Sequence, residues 1–363
     1  MNESNMWKET DEEILQQIPE KLLTWYDKNA RVLPWREDPR PYRVWVSEIM
    51  LQQTRVEAVK PYFERFLKAL PTVADLAQAP EEQLLKLWEG LGYYNRVRNL
   101  QRGARAVMAE HGGVIPVSFE ALKKLPGIGD YTAGAIGSIA FQIPVPAVDG
   151  NVLRVISRVL YRRDNILDAK VKRRIEGEIK EILPERTGDF NQSLMELGAT
   201  VCLPNGAPKC NECPLQELCR AHLVGDEESL PVKTKAKKRK IEQRTVFLLV
   251  CDGKIALRKR PEKGLLAGLW ELPSQEGMLG CAEAGKLLQT WGVRTLGELQ
   301  KQTDAKHIFS HVEWHMTCWY VEAALDPDAD VKELIWVSRK ELDQDVALPA
   351  AFKTYRKVIE KIL

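Results

Sequence analysis

The hydrophobic pattern of this chain changes once, after Pro231, and the change separates two kinds of structure. Between residues 11 and 225, apolar side chains recur at spacings of three and four, which predicts one amphipathic helix after another. Beyond Pro231 the runs become short and rich in β-branched and aromatic residues, as in 245–260, which predicts strands. We therefore expect a multidomain protein, all-α and then α+β.

The length of 363 residues supports two domains. Between them, residues 231–244 carry seven basic residues and one acidic residue without apolar periodicity, which is typical of an exposed linker. This linker is either a solvated tether or a DNA contact. The expected boundaries are a helical domain over 1–225, a basic linker over 226–244 and an α+β domain over 245–363.

In the C-terminal part, Asp252 and Gly253 separate two β-rich runs, which is a strong hairpin signal. Further strands are expected at 317–325 and 334–338, and helices near 281–291 and 350–363.

Charge and hydropathy limit the functional classes. With 53 basic and 51 acidic residues the net charge is +2, so an interaction with nucleic acid has to rest on local features. No apolar run approaches the roughly 20 residues of a membrane helix, and the N-terminus is acidic where a signal peptide would be basic. We expect a cytoplasmic protein, or a nuclear one in a eukaryote.

Residues 44–51 are almost entirely apolar, which predicts a buried helix and makes its single acid, Glu48, conspicuous. The next helix is expected over 56–70, with Thr54 and Glu57 as a capping box at its start. Burial in an apolar helix raises a carboxyl pKa, so Glu48 is a candidate general acid.

The stretch LPGIGDYTAGAIGSIAF, at 125–141, predicts a helix-hairpin-helix that begins near residue 118. Its turn contains Gly127 and Gly129, which let backbone N–H groups approach a phosphate at the start of a helix. The same sequence is compatible with a tight turn between core helices.

Asp149 precedes a further helical pattern, so it could serve simply as an N-cap. Cleavage of a glycosidic bond needs one acid for the leaving group and one carboxylate for the oxocarbenium-like transition state. Glu48 and Asp149 are the candidates for these two roles.

Four of the seven cysteines lie within one short stretch, which in a cytosolic chain favours a metal site over disulfides. Their spacing suits either a zinc ion or an iron–sulfur cluster and does not choose between them. The predicted ligands are Cys202, Cys210, Cys213 and Cys219.

Four motifs occur in an order that resembles the MutY-type adenine DNA glycosylases, a branch of the endonuclease III superfamily of helix-hairpin-helix glycosylases. They are WVSEIMLQQTRV at 45–56, WEGLGYYNRVRNL at 88–100, LPGIGDYT at 125–132 and VDGN at 148–151. The resemblance extends over essentially the whole chain. It implies an all-α glycosylase domain with an iron–sulfur loop at 202–219 and a Nudix-like C-terminal domain.

The implied reaction is removal of adenine from a duplex where it lies opposite 8-oxoguanine or guanine. Glu48 would protonate adenine at N7 and then assist water, while Asp149 would stabilise the oxocarbenium ion. Tyr131 and Asn151 match residues that support this transition state. Endonuclease III-like lyases carry a lysine where this chain has Tyr131, and a tyrosine cannot form their Schiff base, so a monofunctional enzyme is expected.

The resemblance also implies contacts to DNA. Gln53 and Tyr93 match residues that penetrate the duplex, although without this match two tyrosines in a turn, Tyr93 and Tyr94, would more simply be read as packing on a core. Leu91 and Thr54 match neighbours of 8-oxoguanine. Part of the adenine pocket would be formed by Arg31, Trp35 and Arg36.

The C-terminal domain resembles the Nudix fold without its clustered glutamates, since residues 283–291 read EAGKLLQTW. It lacks the carboxylates for a magnesium site, so a lesion-reading role is expected. Phe309, Ser310 and His311 match the motif that meets 8-oxoguanine. As an alternative, His307, His311 and His315 would form a metal-binding face if the segment were helical, but its β-rich surroundings favour a strand or loop.

The resemblance favours a 4Fe-4S cluster on the four cysteines, although the first gap has seven residues where the family usually has six. Lys209 and Arg220 would then reach DNA phosphates from this loop. The implied partner is double-stranded DNA, bound by a monomer. Whether a sliding clamp or another repair protein binds the chain stays open. The rival interpretations are a mismatch-specific thymine glycosylase and a non-catalytic DNA-binding protein.

Overall fold

The computed structural model describes residues 9–234, 238–324 and 334–363. Residues 235–237 of the expected linker and the last residue of the strand predicted at 317–325 lie outside this description. Contacts divide the chain into two compact units. We call Met1–Gln78 with Arg98–Lys235 the helical unit, and Ala79–Val97 with Ala236–Leu363 the sheet unit.

This division differs from the expected boundaries at two places. Ala79–Val97 groups with the C-terminal part, although its helical pattern alone assigns it to the N-terminal domain. The first strand begins at Lys240, inside the stretch expected to be a linker.

Helices cover the N-terminal two thirds of the described chain, as the periodicity predicts. The helices are α1 (Asp11–Asn29), α2 (Pro34–Glu37), α3 (Pro41–Leu51), α4 (Val56–Ala69), α5 (Val73–Gln78), α6 (Glu81–Leu87), α7 (Asn95–His111), α8 (Phe119–Lys124), α9 (Asp130–Phe141), α10 (Gly150–Val159), α11 (Ala169–Glu181), α12 (Thr187–Thr200) and α13 (Arg220–Leu223).

Helix α4 illustrates how the apolar spacing becomes a buried face. Val59, Phe63 and Phe66 lie one or two turns apart and are fully buried. The capping box expected from Thr54 and Glu57 is wrong. The helix begins at Val56 with Arg55 as N-cap, and the Thr54 hydroxyl instead lies 3.4 Å from the Gln52 carbonyl oxygen.

The core of the helical unit is formed by the inward faces of α1, α10, α11 and α12, together with the cysteine-rich loop. Val152, Ile156 and Val159 lie on one face of α10 and are buried, as are Leu194 and Leu197 of α12. Helices α3 and α9 also pack against each other. These contacts bring together the N-terminal ends of α9 and α10 and the middle of α3.

Among the described residues of the sheet unit, eight strands and three α-helices follow the linker. The strands are β1 (Lys240–Cys251), β2 (Lys254–Lys259), β3 (Trp270–Glu271), β4 (Ser274–Glu276), β5 (Arg294–Thr295), β6 (Gln300–Ile308), β7 (Val312–Ala324) and β8 (Leu334–Ser338), and the helices are α14 (Cys281–Thr290), α15 (Arg339–Gln344) and α16 (Lys353–Ile362).

The β1–β2 hairpin has the expected two-residue turn. Val250 pairs with Ile255 and Cys251 with Lys254, while Asp252 and Gly253 have φ values of 49° and 69°. These values match the turn type that Asp-Gly favours. The main path of the sheet runs β3-β2-β1-β7-β5, with β1 and β7 parallel and the other pairs antiparallel.

The sheet has an apolar core on each face. Val246, Leu248 and Trp314 belong to the core that also contains Tyr355 of α16, whereas Phe247 and Leu249 belong to the core with α14. This alternation along β1 follows from the two-residue period of a strand. Among the described residues, no helix has the length and apolarity needed to span a membrane.

Candidate active site

A cleft of about 1270 Å³ opens in the helical unit, lined by α3, the hairpin between α8 and α9, and the start of α10. It is large enough to admit a purine nucleotide. The predicted residues that line it are Arg31, Trp35, Arg36, Glu48, Gln53, Thr54, Gly127, Gly129, Tyr131, Asp149 and Asn151.

Glu48 lies on α3 and is 6% exposed. Burial raises its pKa to about 7. The Tyr131 hydroxyl donates a hydrogen bond to Glu48 Oε2 at 2.6 Å, which lowers this pKa, and the charge of Asp149 raises it further. A substantial fraction of Glu48 is therefore protonated near neutral pH and can act as an acid.

Asp149 is the N-cap of α10 and lies at the surface of the same cleft. Its Oδ1 accepts hydrogen bonds from the backbone N–H groups of Asn151 and Val152, at 2.8 and 2.9 Å, and its Oδ2 accepts one from Asn151 Nδ2 at 2.7 Å. Burial raises the pKa of Asp149 even though these donors favour the carboxylate. The capping role and the candidate catalytic role therefore coexist in one side chain.

Asn151 is held in turn by Arg154, whose Nη2 donates to Asn151 Oδ1 at 2.8 Å. The same guanidinium donates to the backbone oxygens of Gly198 and Cys202, both at 2.8 Å. These contacts join the start of α10 to the end of α12 and to the cysteine-rich loop.

Arg31 and Arg36 line the cleft, but both are paired with Glu196, a residue that the sequence analysis missed. Glu196 is 1% exposed and accepts from Arg31 Nε at 2.6 Å and from Arg36 Nη2 at 2.8 Å. Burial would raise the pKa of Glu196, yet the bonds from the two arginines hold it below its ordinary value. The sequence signal that could have identified Glu196 was its place as the single acid on the buried face of α12.

Trp35 and Gln192 complete this side of the cleft. Trp35 is 5% exposed and packs edge-on against Phe63, with ring centroids 5.2 Å apart. Gln192 Oε1 accepts a hydrogen bond from Arg36 Nε at 3.1 Å. Gln192 also lines the cleft, so its side-chain NH2 group can donate to a ligand.

The hairpin between α8 and α9 is a tight turn in the helical unit. Gly127 has φ +80°, and a Cβ there would come within 2.7 Å of Asn99 Cβ. Gly129 is the N-cap of α9. The first N–H groups of a helix have no intrahelical acceptor, so this turn can receive an anion.

Gln53 and Thr54 follow α3 at the mouth of the cleft. Gln53 is exposed and has φ 59°, an uncommon conformation for a residue with a side chain. This strained turn points to a functional role.

Leu91 and Tyr93 lie in the sheet unit, in the turn between α6 and α7. Leu91 is buried, whereas Tyr93 is 50% exposed and has φ 49°. The Tyr93 hydroxyl lies 3.1 Å from Ser310 Oγ, within hydrogen-bonding distance. The structure thus brings together two predicted residues that are far apart in the sequence.

Ser310 and His311 are exposed in the turn between β6 and β7. The N–H of Phe309 donates to the Val312 carbonyl at 2.8 Å, which closes the turn. The Phe309 ring packs edge-on against Trp314, with ring centroids 5.0 Å apart. The helical metal face considered for this segment is wrong, because His307 and His315 lie on separate paired strands.

The four predicted cysteine ligands line one cavity in the helical unit, together with Arg158, His222 and Glu227. Burial raises the pKa of Cys213 and of Cys219 to about 12. Thiolates in such a site need a compensating positive charge. The donor set therefore fits a metal or a metal cluster.

Arg220 does not reach outward from this loop as expected. Its side chain is 7% exposed, forms an ion pair with Asp11 and donates to the Glu9 carbonyl at 2.7 Å. Lys209 is half-exposed and pairs with Glu212 at 3.5 Å. Of the two side chains, only that of Lys209 is exposed.

Comparison with known proteins agrees with this geometry. Residues 46–181 match the HhH-GPD superfamily of base excision DNA repair proteins, and residues 245–358 match the NUDIX domain. The chain is 36% identical to the adenine DNA glycosylase of Rattus norvegicus, across 94% of this chain and 77% of that relative. It is 32% identical to the adenine DNA glycosylase of Buchnera aphidicola subsp. Baizongia pistaciae, across 94% of this chain and 95% of that relative.

The chain belongs to the adenine DNA glycosylase family. This glycosylase is therefore a base excision repair enzyme that acts on DNA and hydrolyses N-glycosidic bonds. The Nudix-like prediction for the C-terminal domain is confirmed as well.

Solved structures agree on the fold of the helical part of this glycosylase. A thermostable thymine-DNA glycosylase matches with a TM-score of 0.54 and 29% identity, covering 58% of this chain and 97% of that one. A trapped endonuclease III–DNA covalent intermediate matches with a TM-score of 0.51 and 26% identity, covering 60% and 99%. The expected endonuclease III-like fold is thereby confirmed.

Proposed function

We propose that this glycosylase removes adenine lying opposite 8-oxoguanine, and also opposite guanine, without cutting the DNA strand. One observation carries the proposal: the buried Glu48, which accepts a hydrogen bond from Tyr131, lines the same cleft as Asp149, whose carboxyl group accepts three hydrogen bonds. Adenine flipped from the duplex would enter this cleft.

The reaction divides between the two carboxyl groups. Glu48 donates its proton to N7 of adenine, and the bond between C1′ and N9 breaks, with its electrons passing to the base. The negative charge of Asp149 stabilises the oxocarbenium ion that remains. Water then adds at C1′, and its proton returns to Glu48.

The neighbouring side chains hold this pair in place. Tyr131 orients Glu48 through its hydroxyl, and Asn151 orients Asp149 through its side-chain amide. Arg31, Trp35 and Arg36 form the wall against which the base would lie.

Monofunctional chemistry follows from the residue at position 131. A lyase needs an amine that attacks C1′ and forms a Schiff base, and the hydroxyl of Tyr131 is instead a donor to Glu48. We expect wild-type protein to leave an abasic site and to give no borohydride-trapped adduct, whereas Tyr131→Lys should give one. A trapped adduct from wild-type protein would contradict this assignment.

Lesion recognition is assigned to the sheet unit and to the turn after α3. Ser310 and His311 would read 8-oxoguanine, with Ser310 near the N7 hydrogen that guanine lacks. Tyr93 and Gln53 would enter the duplex, and Thr54 and Leu91 would lie beside the lesion. The exposed Ser310 within 3.1 Å of Tyr93 supports this arrangement.

The deciding experiment measures base release from duplexes with A opposite 8-oxoguanine, A opposite G and T opposite G. We expect the fastest release from the first duplex, none from the third, and none from any duplex with Glu48→Gln. Ser310→Ala combined with His311→Ala should reduce the preference for 8-oxoguanine over guanine. An unchanged preference would refute the recognition role, and release of thymine would favour a mismatch thymine glycosylase.

We also propose that Cys202, Cys210, Cys213 and Cys219 bind a 4Fe-4S cluster. All four side chains line one cavity of the helical unit, and cysteine thiolates are the ligands that hold iron–sulfur clusters. When bound, the cluster supplies structure to the loop and takes no part in hydrolysis.

A cluster would give anaerobically purified protein an absorbance band near 400 nm, and Cys213→Ser should abolish it. Absence of this band, with stoichiometric zinc instead, would refute the assignment.

The cysteine-rich loop would present Lys209 to a DNA phosphate, while Gly127 and Gly129 would hold another phosphate at the start of α9.

The remaining assignments concern the setting. We propose that the protein acts as a monomer on chromosomal DNA in a bacterial cytoplasm; its match to a bacterial relative over 94% of this chain supports the bacterial setting. Sedimentation of the protein with and without duplex DNA would test the monomeric state.

A further inference from the structure

The segment Ala79–Val97 carries a proposed duplex-penetrating residue but belongs to the sheet unit. Its turn presents Tyr93, whose hydroxyl lies 3.1 Å from Ser310 Oγ. Two side chains to which the proposed function assigns contacts at the lesion are therefore within hydrogen-bonding distance of each other. Their relative position depends on whatever joins this segment to the C-terminal part of the chain.

Glu89 provides that connection. Its Oε1 accepts a hydrogen bond from Arg356 Nη1 at 2.6 Å and another from the Leu348 N–H at 3.0 Å. Its Oε2 accepts from Lys86 Nζ at 2.8 Å. One carboxylate thus joins α6, α16 and the loop before α16.

The partners of Glu89 are themselves held at the same junction. Lys86 Nζ also donates to the carbonyls of Leu342 and Val346, at 3.0 and 2.9 Å. Arg356 Nη2 donates to Asp343 at 2.9 Å. The side chains of Lys86 and Glu89 are each only 16% exposed, so this network is stronger than a surface ion pair.

The turn between Glu89 and Tyr93 is stiff. The Trp88 indole donates to the Gly92 carbonyl at 3.1 Å, and Arg96 Nη2 donates to the carbonyls of Leu91 and Gly92. Because these bonds cross the turn, a shift of Glu89 moves Tyr93 with it.

We propose that Glu89 is a positioning residue for lesion discrimination, which fixes the duplex-penetrating Tyr93 relative to the lesion-reading Ser310. The inference rests on the proposed preference for 8-oxoguanine. In this proposal Glu89 contacts neither the adenine nor the 8-oxoguanine. It acts through its hydrogen bonds to Lys86 and Arg356. Its loss should weaken selective binding of the lesion without changing bond cleavage in the separate helical unit.

The test compares wild type with Glu89→Gln and with Glu82→Gln, a matched substitution at an exposed position of α6, the helix that precedes Glu89. Affinity is measured for duplexes carrying 2′-fluoro-2′-deoxyadenosine, which resists cleavage, opposite 8-oxoguanine or guanine. We expect Glu89→Gln to reduce the affinity ratio at least about tenfold, the scale of one charge-assisted hydrogen bond. Glu82→Gln should keep the wild-type ratio.

Two further readouts separate positioning from general damage. The single-turnover rate at saturating enzyme on A opposite G should stay within about twofold of wild type, since this rate reports chemistry after binding. Hydrogen exchange should increase in 86–94 and 342–348 of Glu89→Gln and nowhere else. If Glu89→Gln fails to fold, Arg356→Gln makes the same test, and Arg356→Lys should restore most of the ratio.

The outcomes distinguish the two levels of the proposal. A wild-type enzyme without preference for 8-oxoguanine would overturn the proposed specificity and this inference together. A preserved ratio in both Glu89→Gln and Arg356→Gln would overturn the inference alone. Equal loss of affinity for both duplexes, with a lowered melting temperature, would also overturn it, because it would mean that Glu89 only stabilises the fold.

Discussion

Glu48 owes its chemistry to its position in an apolar helix. Burial disfavours its charged form and raises its pKa to about 7, the charge of Asp149 adds to this effect, and the Tyr131 hydrogen bond opposes it. The group therefore titrates where a general acid is most useful.

The first prediction concerns the pH dependence of excision. Glu48 must be protonated to act, so kcat/KM should be high below pH 7 and fall as the pH rises through about 7. Tyr131→Phe removes a donor that favours the carboxylate, so the descending limb should move to higher pH. Values of kcat/KM for both proteins across pH 5.5–9 measure the plateau and the descending limb. A rate independent of pH in this range would contradict the role of Glu48.

The second prediction is a pH-dependent stability. Because the folded-state pKa of Glu48 is raised from 4.5 to about 7, its contribution to stability is fully present below about pH 4.5 and is lost as the pH rises to 7. Glu48→Gln should therefore be more stable than wild type at pH 8, on the order of 3 kcal/mol, and similar at pH 4.5. Urea unfolding at both values measures this, with Glu12→Gln at an exposed position as control.

At the scale of elements, the catalytic geometry depends on how closely α12 approaches α10. Gly198 lies so near Asn151 that a Cβ there would come within 2.5 Å of Asn151 Cβ and 3.1 Å of its Cα. The absence of a side chain at position 198 therefore sets the place of Asn151 and, through it, of Asp149.

The third prediction follows from this contact. Gly198→Ala should push α10 outward, lower stability by about 1–3 kcal/mol and slow excision at saturating enzyme about tenfold or more, because a small misplacement of catalytic groups is costly. Gly177→Ala is the matched control, since nothing lies within 4 Å of a Cβ at that helical position. It should stabilise the protein by up to about 1 kcal/mol with an unchanged rate. A fully active Gly198→Ala would show that α10 adapts without moving Asp149.

At the scale of the whole molecule, segments that are neighbours in the sequence do not always belong to the same compact unit. Ala79–Val97 lies between helices of the helical unit in sequence, yet Lys86 and Glu89 are bound to residues near the C-terminus. Each unit is thus built from two separate stretches of chain.

The fourth prediction tests this arrangement. A fragment ending at residue 235 lacks Arg356, Leu348 and the carbonyls that bind Lys86, so its segment 79–97 should open locally. Limited trypsin digestion with mass spectrometry should cut the fragment after Lys86 at least about tenfold faster than the full-length chain. Equal cleavage rates would show that this segment is held without the C-terminal part.

Much of the fold was predictable because its signals are local. The spacing of Val59, Phe63 and Phe66 predicted the buried face of α4, and Asp252-Gly253 predicted the turn of the first hairpin. Glu48 and Asp149 could be selected as candidates from their immediate neighbours in sequence. Their presence in one cleft could not, because it depends on the packing of α3, α9 and α10.

What the sequence determined alone was therefore the type of each element and the identity of the residues with unusual surroundings. Only the tertiary structure decided which of them meet. Glu196 binds Arg31, Asp11 binds Arg220, and Glu89 binds Arg356 across more than 160 residues of chain in each case. Periodicity and turn chemistry act over a few residues, whereas such pairs form only when many side chains pack at once.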